Sequence, residues 1–144
     1  MEPHVHNMRS AETVIDRSPE HCWRALTDAE LLTAWVPGLR RARILDGGEG
    51  GLAREVQFEF SSSLTYSLVY TYDEATLCVR WEPRGGKRDA VRGFAQLELV
   101  DGGTRMIYGV EQGASTDDPD AFVAAFTRWV ESQPVAMFTP RSMR

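Results

Sequence analysis

Leu52-Ala-Arg-Glu-Val-Gln-Phe-Glu-Phe60 and Leu64-Thr-Tyr-Ser-Leu-Val-Tyr-Thr-Tyr72 decide the fold class of this chain. In the first run Leu52, Arg54, Val56, Phe58 and Phe60 alternate with Ala53, Glu55, Gln57 and Glu59. In the second, Leu64, Tyr66, Leu68, Tyr70 and Tyr72 alternate with Thr65, Ser67, Val69 and Thr71. Successive side chains of a strand point to opposite faces, so a period of two marks a half-buried strand. Leu77, Val79 and Trp81 continue the pattern against Cys78, Arg80 and Glu82. Beyond the Arg84-Gly85-Gly86-Lys87 turn, residues 91–100 and Thr104 to Gln112 read as two strands joined by the Asp101-Gly102-Gly103 turn. Upstream, Arg43-Ile44-Leu45 leads into the turn Asp46-Gly-Gly-Glu-Gly-Gly51, and residues 8–16 read as a first strand.

Helical signals flank these strands. Ser18-Pro19 supplies a hydroxyl N-cap and a proline at the first helical position, with Glu20 at the positive end of the dipole. Asp28 caps a second short helix, Ala29 to Trp35, which Val36-Pro37-Gly38 ends. Late in the chain, Asp118-Pro119 opens a helix whose apolar stripe is Phe122, Phe126, Trp129 and Val130, and Pro134 stops or kinks it. Consecutive hairpins with segregated helices make the class α+β. One long amphipathic helix must cover one apolar sheet face. A curved antiparallel sheet of about seven strands, wrapped around the C-terminal helix, meets that demand and leaves a concave apolar cavity.

The composition is that of one soluble domain spanning residues 1–144, with 1–7 and 135–144 as loose tails. With 42% hydrophobic residues and a net charge of −5, the chain buries a core and is not disordered. The acidic balance, at pI 5.2, argues against a nucleic-acid partner. The N-terminus has neither the basic nor the apolar region of a secretory signal, and no stretch is apolar enough to span a membrane, so the expected location is the cytoplasm. Cys22 and Cys78 show no paired spacing and are expected as free thiols.

Val14-Ile-Asp-Arg-Ser-Pro-Glu20, Trp23-Arg-Ala-Leu-Thr-Asp28 and Leu31-Leu-x-x-Trp-Val-Pro-Gly38 resemble the opening of the START-like (SRPBCC) superfamily. Leu97-Glu-Leu-Val-Asp-Gly-Gly-Thr-Arg105 resembles its penultimate hairpin. The resemblance implies a helix-grip fold. It also implies one of three roles, seen in polyketide cyclases, in pollen-allergen-type ligand carriers and in chaperone-ATPase-activator-like proteins. Pro134 departs from the family, whose last helix is usually longer and uninterrupted.

The aromatic residues are the main functional signal. Phe58, Phe60, Tyr66, Tyr70, Trp81 and Tyr108 fall on the apolar phases of their strands, and Phe126 and Trp129 on the facing helix stripe. With Trp35 they are expected to wall a site for a small hydrophobic or lipid-like ligand, the phenols orienting it. Ordinary core packing explains the same spacing. Arg54 interrupts an apolar phase. If it points inward it can hold a carboxylate or enolate oxygen; at a strand end it can reach solvent instead. Gln112 is a further polar residue on an inward phase.

No catalytic constellation is assignable, and Arg54, Tyr66 and Tyr108 are the weak candidates. His4 and His6 share a strand phase but lack a third ligand, and His21 in a helix first turn is a poor base, so no metal and no cofactor is expected. Three functions stay open: a carrier or sensor of a hydrophobic or aromatic ligand, a metal-independent polyketide cyclase/dehydrase-type enzyme, and a protein-interaction module. An edge strand, or the tail around Met137-Phe138, offers a homodimer contact.

Overall fold

The computed structural model describes residues 8–84, 92–111 and 118–134. The expectations for His4, His6, Gln112, Gly85 to Lys87 and the Met137-Phe138 tail fall outside them. The element order is β1 (Met8–Ile15), α1 (Pro19–Thr27), a 3₁₀ turn (Ala29–Leu31), α2 (Leu32–Trp35), β2 (Leu39–Gly47), β3 (Ala53–Phe60), β4 (Thr65–Asp73), β5 (Cys78–Pro83), β6 (Gly93–Val100), β7 (Gly103–Glu111) and α3 (Pro119–Ser132). All seven strands form one antiparallel sheet in the order β1-β7-β6-β5-β4-β3-β2. This is the helix-grip α+β arrangement. The chain starts on one edge, crosses to the other through α1 and α2, and returns strand by strand.

The helices begin where the capping chemistry places them. Ser18 Oγ accepts the His21 N–H at 3.3 Å, Asp28 Oδ1 the Glu30 N–H at 3.0 Å, and Asp118 Oδ1 the Asp120 N–H at 3.1 Å. The expected second helix is split, its first turn being 3₁₀. α3 stops at Ser132, just before Pro134, which cannot continue a helix.

The far end of α3 is held by the β1–α1 connection. Arg17 Nη2 donates to the carbonyls of Glu131 at 2.6 Å and Gln133 at 3.2 Å, and Glu131 Oε2 accepts the Asp16 N–H at 2.8 Å. Thr104 Oγ1 ties the Arg17 carbonyl to β7 at 2.7 Å. A cation over the last carbonyls satisfies orphan acceptors and complements the negative helix end.

Burial divides the interior in two. Phe126 and Val130 of α3, Ile15 of β1, Leu97 of β6 and Met106 of β7 are fully buried. They form the packed half, because α3 lies mainly along β1 and β7. At 14 residues α3 is only about 21 Å long. The inward faces of β3, β4 and β5 therefore surround a space that the helix does not fill.

Candidate functional site

That space is a cavity of about 390 Å³, within the range of small-molecule sites. Its sheet wall comes from β3, β4, β5 and β7. The rest comes from the end of α1, from α2 and its exit Val36-Pro37, and from the start of α3. Pro37, Asp118 and Ala121 are exposed and form the rim; Leu32, Val56, Leu68 and Val79 are buried and form the depth.

Strand register sets the ring positions. Phe58 lies opposite Tyr66 across β3–β4, and Tyr70 opposite Trp81 across β4–β5. Trp81 meets Tyr108 at 5.6 Å although β6 runs between their strands. Gly93 and Ala95 of β6 permit this, lying opposite Trp81 and Tyr108. A Cβ on Gly93 would come within 2.8 Å of the Trp81 ring. The outcome is a continuous chain of eight rings: Phe60, Tyr66, Phe58, Tyr70, Trp81, Tyr108, Phe122 and Trp35, each 4.0 to 6.5 Å from the next.

The chain has four tyrosines, and all four (Tyr66, Tyr70, Tyr72 and Tyr108) line this cavity. Burial pushes the Tyr70 phenol well above its ordinary pKa, and the neighbouring phenols of Tyr72, Tyr66 and Tyr108 add to the shift. Burial also raises Tyr72, whose hydroxyl donates to the Ala53 carbonyl at 2.6 Å. Tyr70 and Tyr72 are therefore neutral hydrogen-bonding groups, not bases, at neutral pH. The Trp35 indole Nε1 is buried with no hydrogen-bond partner. Asp118 is the single carboxylate on the wall, and no Lys, Arg or His lines it among the described residues.

Of the residues expected at a site, Trp35, Phe58, Phe60, Tyr66, Tyr70, Trp81 and Tyr108 surround the cavity. Phe126 does not line it. It is fully buried behind Trp35, with ring centroids 4.8 Å apart. Trp129 is half-buried against the core, also off the wall. Arg54 is a correction. Asp46 pairs with Glu55 and Gly47 with Ala53, so Arg54 is the extra residue of a bulge. The bulge reverses the phase. Ala53 turns inward at 3% exposure, and the Arg54 side chain stands 66% exposed, 3.9 Å from Asp46. Arg54 can bind nothing inside the cavity. Phe122, Tyr72 and Asp118 join the wall although the sequence reading did not place them at the site. The signals for Phe122 and Tyr72 are the helix stripe and the strand phase; Asp118 is legible only as a cap.

Cys22 and Cys78 are buried free thiols. Among the described residues no group of three His, Cys, Asp or Glu side chains could hold a metal ion, and no helix is long and apolar enough to cross a membrane.

Solved structures share the fold. TTHA0849 from Thermus thermophilus superposes with a TM-score of 0.71 at 15% identity, over 85% of this chain and 96% of that one. A START superfamily protein from Mycobacterium smegmatis gives 0.71 at 16% identity, over 86% and 97%. CV1439 from Chromobacterium violaceum gives 0.64 at 18% identity, over 88% and 99%. At such identities the likeness concerns the fold alone. No curated protein sequence matches the chain. Residues 9–134 match the family described as polyketide cyclase / dehydrase and lipid transport. That match spans β1 to the end of α3, including every described wall of the cavity, and the chain belongs to this family.

Proposed function

We propose that the domain is a carrier or sensor that binds one small hydrophobic, aromatic ligand in the cavity between the sheet and the start of α3. The observation that carries this reading is the continuous chain of aromatic rings around a 390 Å³ space. Rings offset by about 4.5–7 Å present both faces and edges to a flat guest, and phenols orient it at little entropic cost. Trp35 and Trp81 line the wall, so ligand entry changes tryptophan emission. Native mass spectrometry of gently purified protein tests the reading: a retained small molecule of fixed mass is expected. A chain that carries none, and whose emission does not respond to aromatic probes, would sink it.

The enzyme reading has one observation in its favour. Tyr70, kept neutral by burial, can donate to a carbonyl or enolate oxygen of a polyketide-like substrate, whereas the single Tyr72 proton is already given to the Ala53 carbonyl. Against it, Arg54 is outside, and the wall holds no cationic group among the described residues. Turnover of a polyketide-type substrate that is lost in a Tyr70→Phe variant would establish it. The interaction-module reading draws less support. The interior is not solid, and among the described residues the exposed large apolar side chains are divided between Val14 and Leu99 near one sheet edge and Ile44 and Leu45 at the other.

A further inference from the structure

The charge on the cavity wall narrows the ligand class. The chain carries 16 Lys and Arg residues, yet none of those described lines the cavity. Among the described residues the one charged group there is the Asp118 carboxylate at the rim. A helix N-terminus beside a cavity is ordinarily an anion site, because its free N–H groups and dipole favour negative charge. Here α3 supplies that anion itself. Asp118 Oδ1 accepts the Asp120 N–H, and the exposed Asp120 adds a second carboxylate to the same turn. An incoming carboxylate or phosphate meets an occupied N-terminus and like charge. An incoming cation meets a carboxylate and then the electron-rich ring faces of tyrosine and tryptophan, which attract ammonium groups when water is excluded.

We propose that the cavity selects ligands bearing an ammonium group: Asp118 is the counter-ion at the rim, and the rings around Tyr108, Trp81 and Tyr70 hold the attached apolar body. This rests on the ligand-binding reading above and names the charge class that the same site takes.

Three naphthalene probes of matched size separate the outcomes: 1-naphthylmethylamine, protonated at pH 7, 1-naphthalenemethanol and 1-naphthoate. Each is titrated into the full chain by tryptophan emission at low ionic strength. The amine is expected to bind about tenfold more tightly than the alcohol, and the carboxylate most weakly. Asp118→Asn keeps an equally good N-cap, so helix content is retained, and it is expected to remove most of the amine's advantage, leaving only what the ring faces supply. Raising the salt to about 0.5 M should shrink the amine's advantage, since the rim is exposed. An alcohol that binds as tightly as the amine overturns the proposal, as does an amine preference that is undiminished in Asp118→Asn. If none of the three binds, the ligand-binding reading itself fails and this one falls with it.

Discussion

Tyr108 of β7 and Phe122 of α3 stack face to face, with ring centroids 4.0 Å apart and planes 7° from parallel. The pair joins sheet to helix where the cavity begins, and Trp35 closes on Phe122 edge-on at 4.9 Å. It does two things at once: it anchors the first turn of α3 and it limits the cavity on that side.

Phe122→Ala is therefore expected to act on both stability and binding. Losing a half-buried ring and its stack should cost about 2 kcal/mol, below the roughly 3–5 kcal/mol of a fully buried phenylalanine. The cavity should also enlarge and accept bulkier aromatic probes. Urea unfolding followed by far-UV circular dichroism checks the first effect, and probe titration the second. Phe122→Leu, which keeps volume without the stack, should lie between. A Phe122→Ala midpoint equal to wild type would show that the stack anchors nothing.

Gly93 is the clearance that lets Trp81 reach Tyr108. Gly93→Ala places a methyl within 2.8 Å of the Trp81 ring and 2.6 Å of the Gly109 carbonyl. Trp81 or the β6–β7 pairing must then shift, at about 1–3 kcal/mol, as for other overpacked sites. A lower melting temperature with altered tryptophan emission is the expected result. Unchanged emission would mean that the backbone, and not Trp81, takes up the strain.

Most of the architecture was legible because its causes are local. The Ser18-Pro19 and Asp118-Pro119 caps, the stop before Pro134 and the period-two runs each depend on neighbouring residues, and each sits where those residues put it. The inward rings of β3, β4, β5 and β7 followed from strand phase alone. Arg54 did not, because a bulge depends on how β3 pairs with β2, and pairing is a long-range property that no single strand encodes. Phe126 and Trp129 share the stripe of Phe122, but only the start of α3 meets the cavity. Where along its length a helix leaves the packed core is decided by Pro134 and by Arg17, far from the stripe itself.

Replacing Arg54 should then be silent in binding. Arg54→Ala removes an exposed side chain that faces Asp46 at 3.9 Å, and such surface pairs contribute about 0–1 kcal/mol. Affinity for an aromatic probe should stay within about twofold of wild type. A tenfold loss would mean that Arg54 reaches the ligand in solution.

Arg17 has the opposite profile: remote from the ligand and expected to matter for the fold. Arg17→Ala frees the terminal carbonyls of α3 at Glu131 and Gln133, and should cost about 1–2 kcal/mol. Arg17→Lys keeps the charge but not the guanidinium fork, and should recover only part of that loss. Hydrogen exchange localises the effect: amides in the last turn of α3 should exchange faster, while those of the first turn change little. Uniform acceleration along α3 would show that Arg17 stabilises the fold globally and not this end.

Cys22 lies in the same corner. Burial raises its thiol from 9.0 to about 11, against the lowering effect of the Thr104 hydrogen bond and of Arg17. The native thiol thus keeps its proton at pH values where the thiol of the unfolded chain is already ionised. The associated stability is fully present below about pH 9 and is lost as pH rises toward 11, by roughly 2–3 kcal/mol in all. Tyr70 and Tyr72 add the same trend above about pH 10, the ordinary phenol value. Between pH 9 and pH 10 the thiols titrate ahead of the phenols, and Cys78, also raised by burial, Tyr70 and Tyr72 are common to wild type and variant, so the difference between the two isolates Cys22. Cys22→Ala should be less stable than wild type at pH 8, because it loses a buried sulfur, yet its stability should fall less between pH 9 and pH 10. Urea midpoints at half-unit pH steps give both slopes. Parallel slopes would mean that the Cys22 thiol is not shielded in the folded chain, and the close packing beneath Arg17, Glu131 and Thr104 would have to be looser than the structure draws it.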